Sequence, residues 1–169
     1  LETVVYAALP IERFGSDELK KDLLPKVTAG KAILTAAFFE IGGPALSRKT
    51  RTRATAKGNG FLLSGEKVCV PYAAVAEKIL VGANGDEGLG LFLVSPSASG
   101  VSLERQETSA HEPQYVMKLD DVDVEEIDIL AKPGDGDEIF DWLEPRAITA
   151  ISAIAVGAAE EGLRQTAEY

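Results

Sequence analysis

Few side chains in this 169-residue sequence are placed to do chemistry by themselves. The single cysteine, Cys69, lies in Gly65-Glu66-Lys67-Val68-Cys69-Val70-Pro71-Tyr72, and the single histidine, His111, in Ala110-His111-Glu112-Pro113. A thiol turns nucleophilic when a neighbouring base or cation lowers its pKa. No general base stands near Cys69 in sequence, so its expected role is a small core hydrophobe. An imidazole can pass protons near neutral pH, but with no partner in its neighbourhood His111 reads as a loop residue. One cysteine and one histidine leave no zinc or haem constellation and no internal disulfide, which suits a reducing cytosol.

Phosphate chemistry is no better served. Gly85-Asp86-Glu87-Gly88-Leu89-Gly90 lies between two β-like runs and opens no helix, so it is expected to be a hairpin turn rather than a dinucleotide fingerprint. No phosphate-loop lysine motif and no nucleophile elbow occurs. Arg48, Lys49, Arg51, Arg53 and Lys57 stand together without an acid and could steer a phosphate-bearing ligand, although bases on a strand face are more often simply solvated. Residues 104–144 carry 14 acids against 3 bases, as expected of a solvated face and loops. The net charge of −10 disfavours nucleic acid and anionic membrane surfaces. No apolar run reaches the ~20 residues of a bilayer span.

The elements that must position these residues run helix, strands, helix. Residues 1–9 look helical up to Pro10. Ser16 can cap a second helix whose first turn holds Asp17 and Glu18; Leu19, Leu23, Leu24 and Val27 recur at helical spacing, Pro25 should kink or break it, and Gly30 ends it. Residues 31–40 read as a buried strand, and residues 50–56 alternate as a strand with one wet face. Gly58-Asn59-Gly60 is a hairpin turn, and Ser64-Gly65 a second tight turn between residues 61–63 and 67–70. Five more β runs follow at 78–83, 89–94, 101–106, 115–119 and 127–130. Short strands separated by turn chemistry argue an antiparallel barrel or sandwich. From Ile139 the helical period returns, with Pro145 marking a first turn or kink. Residues 147–159 are apolar on more than one face, which a lone helix in water does not favour. A start at Leu1 and a stop inside a helix lead us to expect a piece of a longer protein.

The ordered motifs resemble those of the acyl-CoA dehydrogenase family over nearly the whole chain. Gly15-Ser16-Asp17-Glu18-Leu19-Lys20, followed by Leu24-Pro25-Lys26 and Gly30, is similar to the family's "G-[ST]-x-E-x-K … LP-x-x-x-x-G". Glu40 and Gly42 occupy the second and fourth positions of "TEPGAGSD", and Gly65-Glu66-Lys67 matches "NGEKxWITN". Residues 73–77 resemble "A-x-x-AD", and Leu119-Asp120-Asp121-Val122-Asp123-Val124 resembles "F-D-D-V-x-VP" with Glu125 in place of proline. Arg146, Gly157, Ala158, Leu163 and Tyr169 follow the spacing of "R…GxAxxAL…Y".

The resemblance implies a mainly β fold with flanking helices. Residues 1–29 would end an N-terminal helical domain, residues 30–133 form the middle antiparallel β-barrel domain, and residues 134–169 open a C-terminal helical bundle. It implies FAD as cofactor, an acyl-CoA substrate, an electron-transfer partner, assembly into a homo- or hetero-oligomer, and a cytoplasmic location. The family's glutamate base would lie beyond Tyr169, so no catalytic residue and no metal ligand is assigned here. The cofactor-binding positions fall on Phe38, Phe39, Cys69 and Pro71, and a substrate-binding position on Ala45.

Several of these positions depart from the family pattern. Cys69 replaces a tryptophan packed on the flavin, and Pro71 and Phe39 replace threonines that hydrogen-bond it. Ile41 replaces a proline, Ala45 a serine near the acyl-CoA, and Ala110, Glu112 and Gln114 fill the "RxSxT" segment. Two lost hydrogen bonds at ~1 kcal/mol each would weaken FAD by roughly one to two orders of magnitude. Phe39 would offer a partial substitute for the missing indole. A degenerate, cofactor-poor member serving as a structural subunit of a hetero-oligomer is the alternative.

Overall fold

A computed structural model of the chain describes residues 1–43, 48–109 and 111–168. Ala45, Ala110 and Tyr169 lie outside the described residues.

The chain enters through a π-helix, Glu2–Ala8, that passes directly into α1, Leu9–Phe14. The expected break before Pro10 does not occur: the backbone stays helical through Ala8, at φ −66° and ψ −40°, and Leu9 into Pro10. Helix α2 spans Asp17–Thr28; Ser16 caps it by accepting from the Leu19 N–H at 3.2 Å. Pro25 lies in its last turn without ending it, and Gly30 follows with φ 66°. Helix α3 runs unbroken over Gly136–Ala167 with Pro145 inside it.

Among the described residues eight strands form one sheet: β1 Leu34–Ala37, β2 Arg53–Lys57, β3 Gly60–Pro71, β4 Lys78–Gly85, β5 Gly88–Val94, β6 Val101–Gln106, β7 Gln114–Val124 and β8 Ile129–Ala131. Their order is β6-β7-β3-β2-β4-β5-β8, with β1 added beside β4. The mainly β reading with flanking helices holds. Two details of the expected barrel do not: β6 and β8 end the path without meeting, so the sheet stays open, and β1 and β2 both run parallel to β4.

Ser64-Gly65 is not a turn. Strand β3 continues through it, and the register with β7 shifts between Leu63 and Gly65 instead. A Cβ on Gly65 would come within 2.7 Å of the Thr52 Cα, so glycine here serves close approach rather than reversal. The other glycine readings fit: Lys57 pairs with Gly60 across Gly58-Asn59, and Gly85 with Gly88 across Asp86-Glu87.

The central strands are buried on both faces, which explains their near-continuous apolar runs. One face packs Leu80 of β4 and Leu89, Leu91 and Leu93 of β5 under the helices, with Ile11, Leu23, Phe140 and Leu143. Phe38 joins this layer, its ring 5.0 Å from Phe140 and 6.3 Å from Tyr6, both edge-on, a geometry worth ~0.5–1.5 kcal/mol per pair. The opposite face collects Ile79, Val81, Phe92, Val70, Met117 and Val122. Helix α3 changes character along its length. Ile139, Phe140, Leu143 and Ala147 are buried, whereas Ile148, Ile151, Ile154, Val156 and Leu163 are exposed.

Candidate functional site

Four sequence-predicted residues meet in one place. Phe38, Phe39, Cys69 and Pro71 line a single cleft of about 220 Å³, with Gln114 of β7, Glu112 and Ile151 of α3. Complete small-molecule pockets span roughly 300–1,000 Å³, and this cleft is smaller. The two flanks come from the segment after β1 and from the end of β3. The Val68 N–H ties them by donating to the Phe39 carbonyl at 3.0 Å. Phe38 turns away into the helical layer at 4% exposure, while Phe39 stands 39% exposed.

Cys69 is not the core residue its apolar neighbours suggest. It is exposed and has φ 54°. Lys67 pairs with Met117 and Val70 with Tyr115, so Val68 and Cys69 together oppose Val116: a β-bulge whose second residue is left-handed. The bulge consumes the local donors. The Cys69 N–H donates to the Gln106 side chain at 2.7 Å, Tyr72 N–H donates to Pro113 O at 2.8 Å, and Pro71 has none. Tyr72 is itself left-handed, at φ 54°. A hydrogen bond to Glu112 pushes its hydroxyl pKa up.

Adjoining Phe39 and Val68 in sequence lies a polar cluster to which sequence reasoning gave no role. Lys67 is fully buried; its Nζ donates to Glu40 Oε1 at 2.8 Å and to Thr50 Oγ1 at 2.7 Å. Glu40, 9% exposed, also accepts from the Thr50 hydroxyl, the Thr52 hydroxyl at 2.7 Å, the Thr52 N–H at 3.1 Å and the Arg51 N–H at 2.7 Å. Burial pushes the Glu40 carboxyl up, but the donors from Lys67, Thr50, Arg51 and Thr52 outweigh it and hold the group well below the usual carboxylate range. Burial draws Lys67 down, opposed by Glu40. A legible signal existed: Glu40 is the lone charge in Phe38-Phe39-Glu40-Ile41, and Lys67 opens an apolar run.

Three bases of the basic stretch are engaged by the protein itself: Arg48 binds Asp141 and Glu144 of α3, Arg51 reaches the Ile41 carbonyl, and Lys57 binds Asp123 at 2.6 Å. The exposed Arg53 lines a shallow surface cleft with Arg51. His111 is an exposed loop residue with φ 56°. Among the described residues no group of three or more His, Cys, Asp or Glu is placed to hold a metal ion, and no helix is long and apolar enough to cross a membrane.

With fold and cleft in hand, the class of molecule follows from comparison. No family model matches the chain. The acyl-CoA dehydrogenase FadE27 of Mycobacterium tuberculosis is 33% identical over 171 aligned positions, covering 100% of this chain and 43% of that protein. The ChsE4-ChsE5 complex from Mycobacterium tuberculosis superposes with TM-score 0.87 at 30% identity, over 99% of this chain and 44% of that one. A glutaryl-CoA dehydrogenase from Mycobacterium smegmatis in complex with FADH2 gives TM-score 0.70 at 26% identity, over 74% of this chain and 33% of its own. The chain belongs to the acyl-CoA dehydrogenase family, and it spans less than half the length of these relatives.

Toward FAD the cleft would offer an apolar side, from Phe39, Cys69 and Pro71, and a polar side, from Glu112 and Gln114. The backbone N–H groups of Val68, Cys69 and Tyr72 are already committed to other acceptors. FAD, where bound, supplies the hydride acceptor.

Proposed function

We propose that the whole protein is an FAD-dependent acyl-CoA dehydrogenase, an oxidoreductase acting on CH–CH donors, that converts an acyl-CoA thioester to the 2,3-enoyl-CoA and passes electrons to a separate carrier. Within it, residues 1–29 close an N-terminal helical domain, residues 30–133 are the middle β domain, and residues 134–169 begin a helical bundle. This chain's part is positioning. Phe39, Cys69 and Pro71 form one apolar wall for the isoalloxazine and keep water from it, Phe38 backs Phe39 from the helical layer, and Ala45 contributes to the acyl-CoA side. The base that takes the substrate proton comes from elsewhere in the protein. We place the protein in the cytoplasm, where the exposed Cys69 thiol stays reduced.

The observation that carries this reading is the meeting of Phe38, Phe39, Cys69 and Pro71, drawn from two distant segments, in one cleft. A visible absorption spectrum of the full-length protein, purified without added FAD and then titrated with it, tests the reading. A stoichiometric flavin band that bleaches on adding an acyl-CoA supports it. A protein that stays colourless through the titration refutes it.

A second reading has its own support. The departures at Phe39, Cys69 and Pro71 leave few hydrogen-bond donors for a flavin, and the ChsE4-ChsE5 neighbour is a complex of two differently named components. A cofactor-poor subunit of a hetero-oligomer would fit both. It predicts the colourless outcome for the isolated protein and a flavin spectrum on co-expression with its partner subunit.

A further inference from the structure

We propose that the buried Glu40–Lys67 pair is the positioning device of the cleft: by holding Lys67 inside, it forces the Val68–Cys69 bulge and thereby sets Cys69 and Phe39 on facing flanks.

In an unbroken strand Lys67 and Cys69 would share one face, and Val68 and Val70 the other. Here Lys67 and Val70 are both fully buried, three residues apart, and Cys69 is exposed. Only an extra residue allows that, and Val68–Cys69 opposite Val116 supplies it. The alternative register is available. With Val70 still opposite Tyr115, a bulge-free β3 would set Val68 against Met117, which is buried, and Lys67 against Lys118, which is exposed. That arrangement puts Val68 inside and the Lys67 ammonium in water, but it also sets the Glu66 carboxylate against buried Leu119, so it exchanges one buried charge for another. The bulged register is selected by what Lys67 meets inside, a carboxylate at 2.8 Å and the Thr50 hydroxyl at 2.7 Å.

The pair also acts on the other flank. Glu40 directly follows Phe39, and Val68, inside the bulge, donates to the Phe39 carbonyl. Releasing Lys67 would turn Val68 inward and break that bond. Phe39 would then lose its tie to β3, and Cys69 its left-handed backbone. Glu40 and Lys67 thus reach a ligand only through the residues beside them.

The test is Glu40→Gln in the full-length protein, read by amide exchange and by acetylation of Lys67. We expect the Val68 and Cys69 amides to exchange about 100-fold faster and Lys67 to become modifiable, while the β4–β5 hairpin stays within about threefold of wild type. Unchanged exchange at Val68 and Cys69 would overturn the proposal. So would equal acceleration across β4–β5, because it would mean the pair supports the fold at large. Should Glu40→Gln fail to fold, Thr50→Val removes only the bridging hydroxyl; about tenfold faster exchange confined to the bulge is then expected, and no local change overturns the idea. The ligand arm rests on the flavin reading: FAD affinity should fall at least about tenfold in Glu40→Gln. A wild type that takes up no FAD refutes that reading alone, since exchange still decides the role of the pair.

Discussion

Strand β3 leaves its register with β7 at two points, and the two irregularities are held by opposite means. At the outer one Ser64 faces both Asp120 and Asp121; Asp121 takes φ 48° and its carboxylate accepts from the Ser64 hydroxyl at 2.6 Å, in the open. At the inner one Val68 and Cys69 face Val116, and the anchor is the buried Lys67–Glu40 pair. A bulge held by a solvent-exposed hydrogen bond is expected to survive the loss of that contact. A bulge held by a buried ion pair is not, because removing either partner strands a charge in a low-dielectric interior. The candidate site therefore depends on the less forgiving of the two.

The largest expected difference comes from taking away one anchor at each point. Lys67→Ala should cost about 3–5 kcal/mol, the usual effect of breaking a buried pair, whereas Ser64→Ala should cost no more than about 1 kcal/mol. Chemical denaturation of the two variants beside wild type measures both, and equal losses would erase the distinction.

Gly65, between the two bulges, ranks next. A Cβ there meets the Thr52 Cα and Oγ1, each at 2.7 Å, and Thr52 is also a donor to Glu40. Gly65→Ala should cost about 1–3 kcal/mol by overpacking, and it should speed amide exchange at Cys69 more than at Asp121. Faster exchange at Asp121 instead would place the strain at the wrong bulge.

The ion pair also gives the inner bulge a pH signature. Folding lowers the Glu40 pKa, so the unfolded chain binds more protons than the folded one as pH falls through the ordinary carboxylate range. The stabilisation is full at neutral pH, starts to fade near the unfolded value, and is gone below the folded one. Denaturation midpoints of wild type and Glu40→Gln, followed from pH 7 downward, should therefore converge. A gap that stays constant would mean that Glu40 is not held as a carboxylate.

How much of this was legible in the sequence divides along the same line. Elements fixed by local chemistry were readable: the Ser16 cap, the Gly58-Asn59 turn, the Asp86-Glu87 turn and the apolar runs of β4 and β5. Elements set by a distant partner were not. Ser64-Gly65 has the composition of a turn, and only the closeness of Thr52 shows why a glycine is needed in mid-strand. Cys69 sits among apolar residues and reads as core, because nothing in its own segment says that Lys67 will be drawn inward by Glu40. Family resemblance found the positions that meet in the cleft. It assigned no role to the pair that aligns them, although Glu40 and Lys67 were both among the matched residues.

The smallest expected effect carries opposite signs at the two bulges. A left-handed backbone costs a residue with a side chain about 1 kcal/mol or more, and Asp tolerates it better than most because its carboxylate bonds locally. Cys69 is exposed, so Cys69→Gly removes little packing and relieves that cost, less the ~0.5–1 kcal/mol by which glycine loosens the unfolded chain. A net gain of up to about 0.5 kcal/mol is expected. Asp121→Gly relieves less and gives up the Ser64 hydrogen bond, so it should lose about 0.5–1 kcal/mol. Thermal denaturation of the two variants decides the sign. A stabilised Asp121→Gly beside a destabilised Cys69→Gly would mean that the cleft bulge, not the surface one, is the locally self-supporting turn.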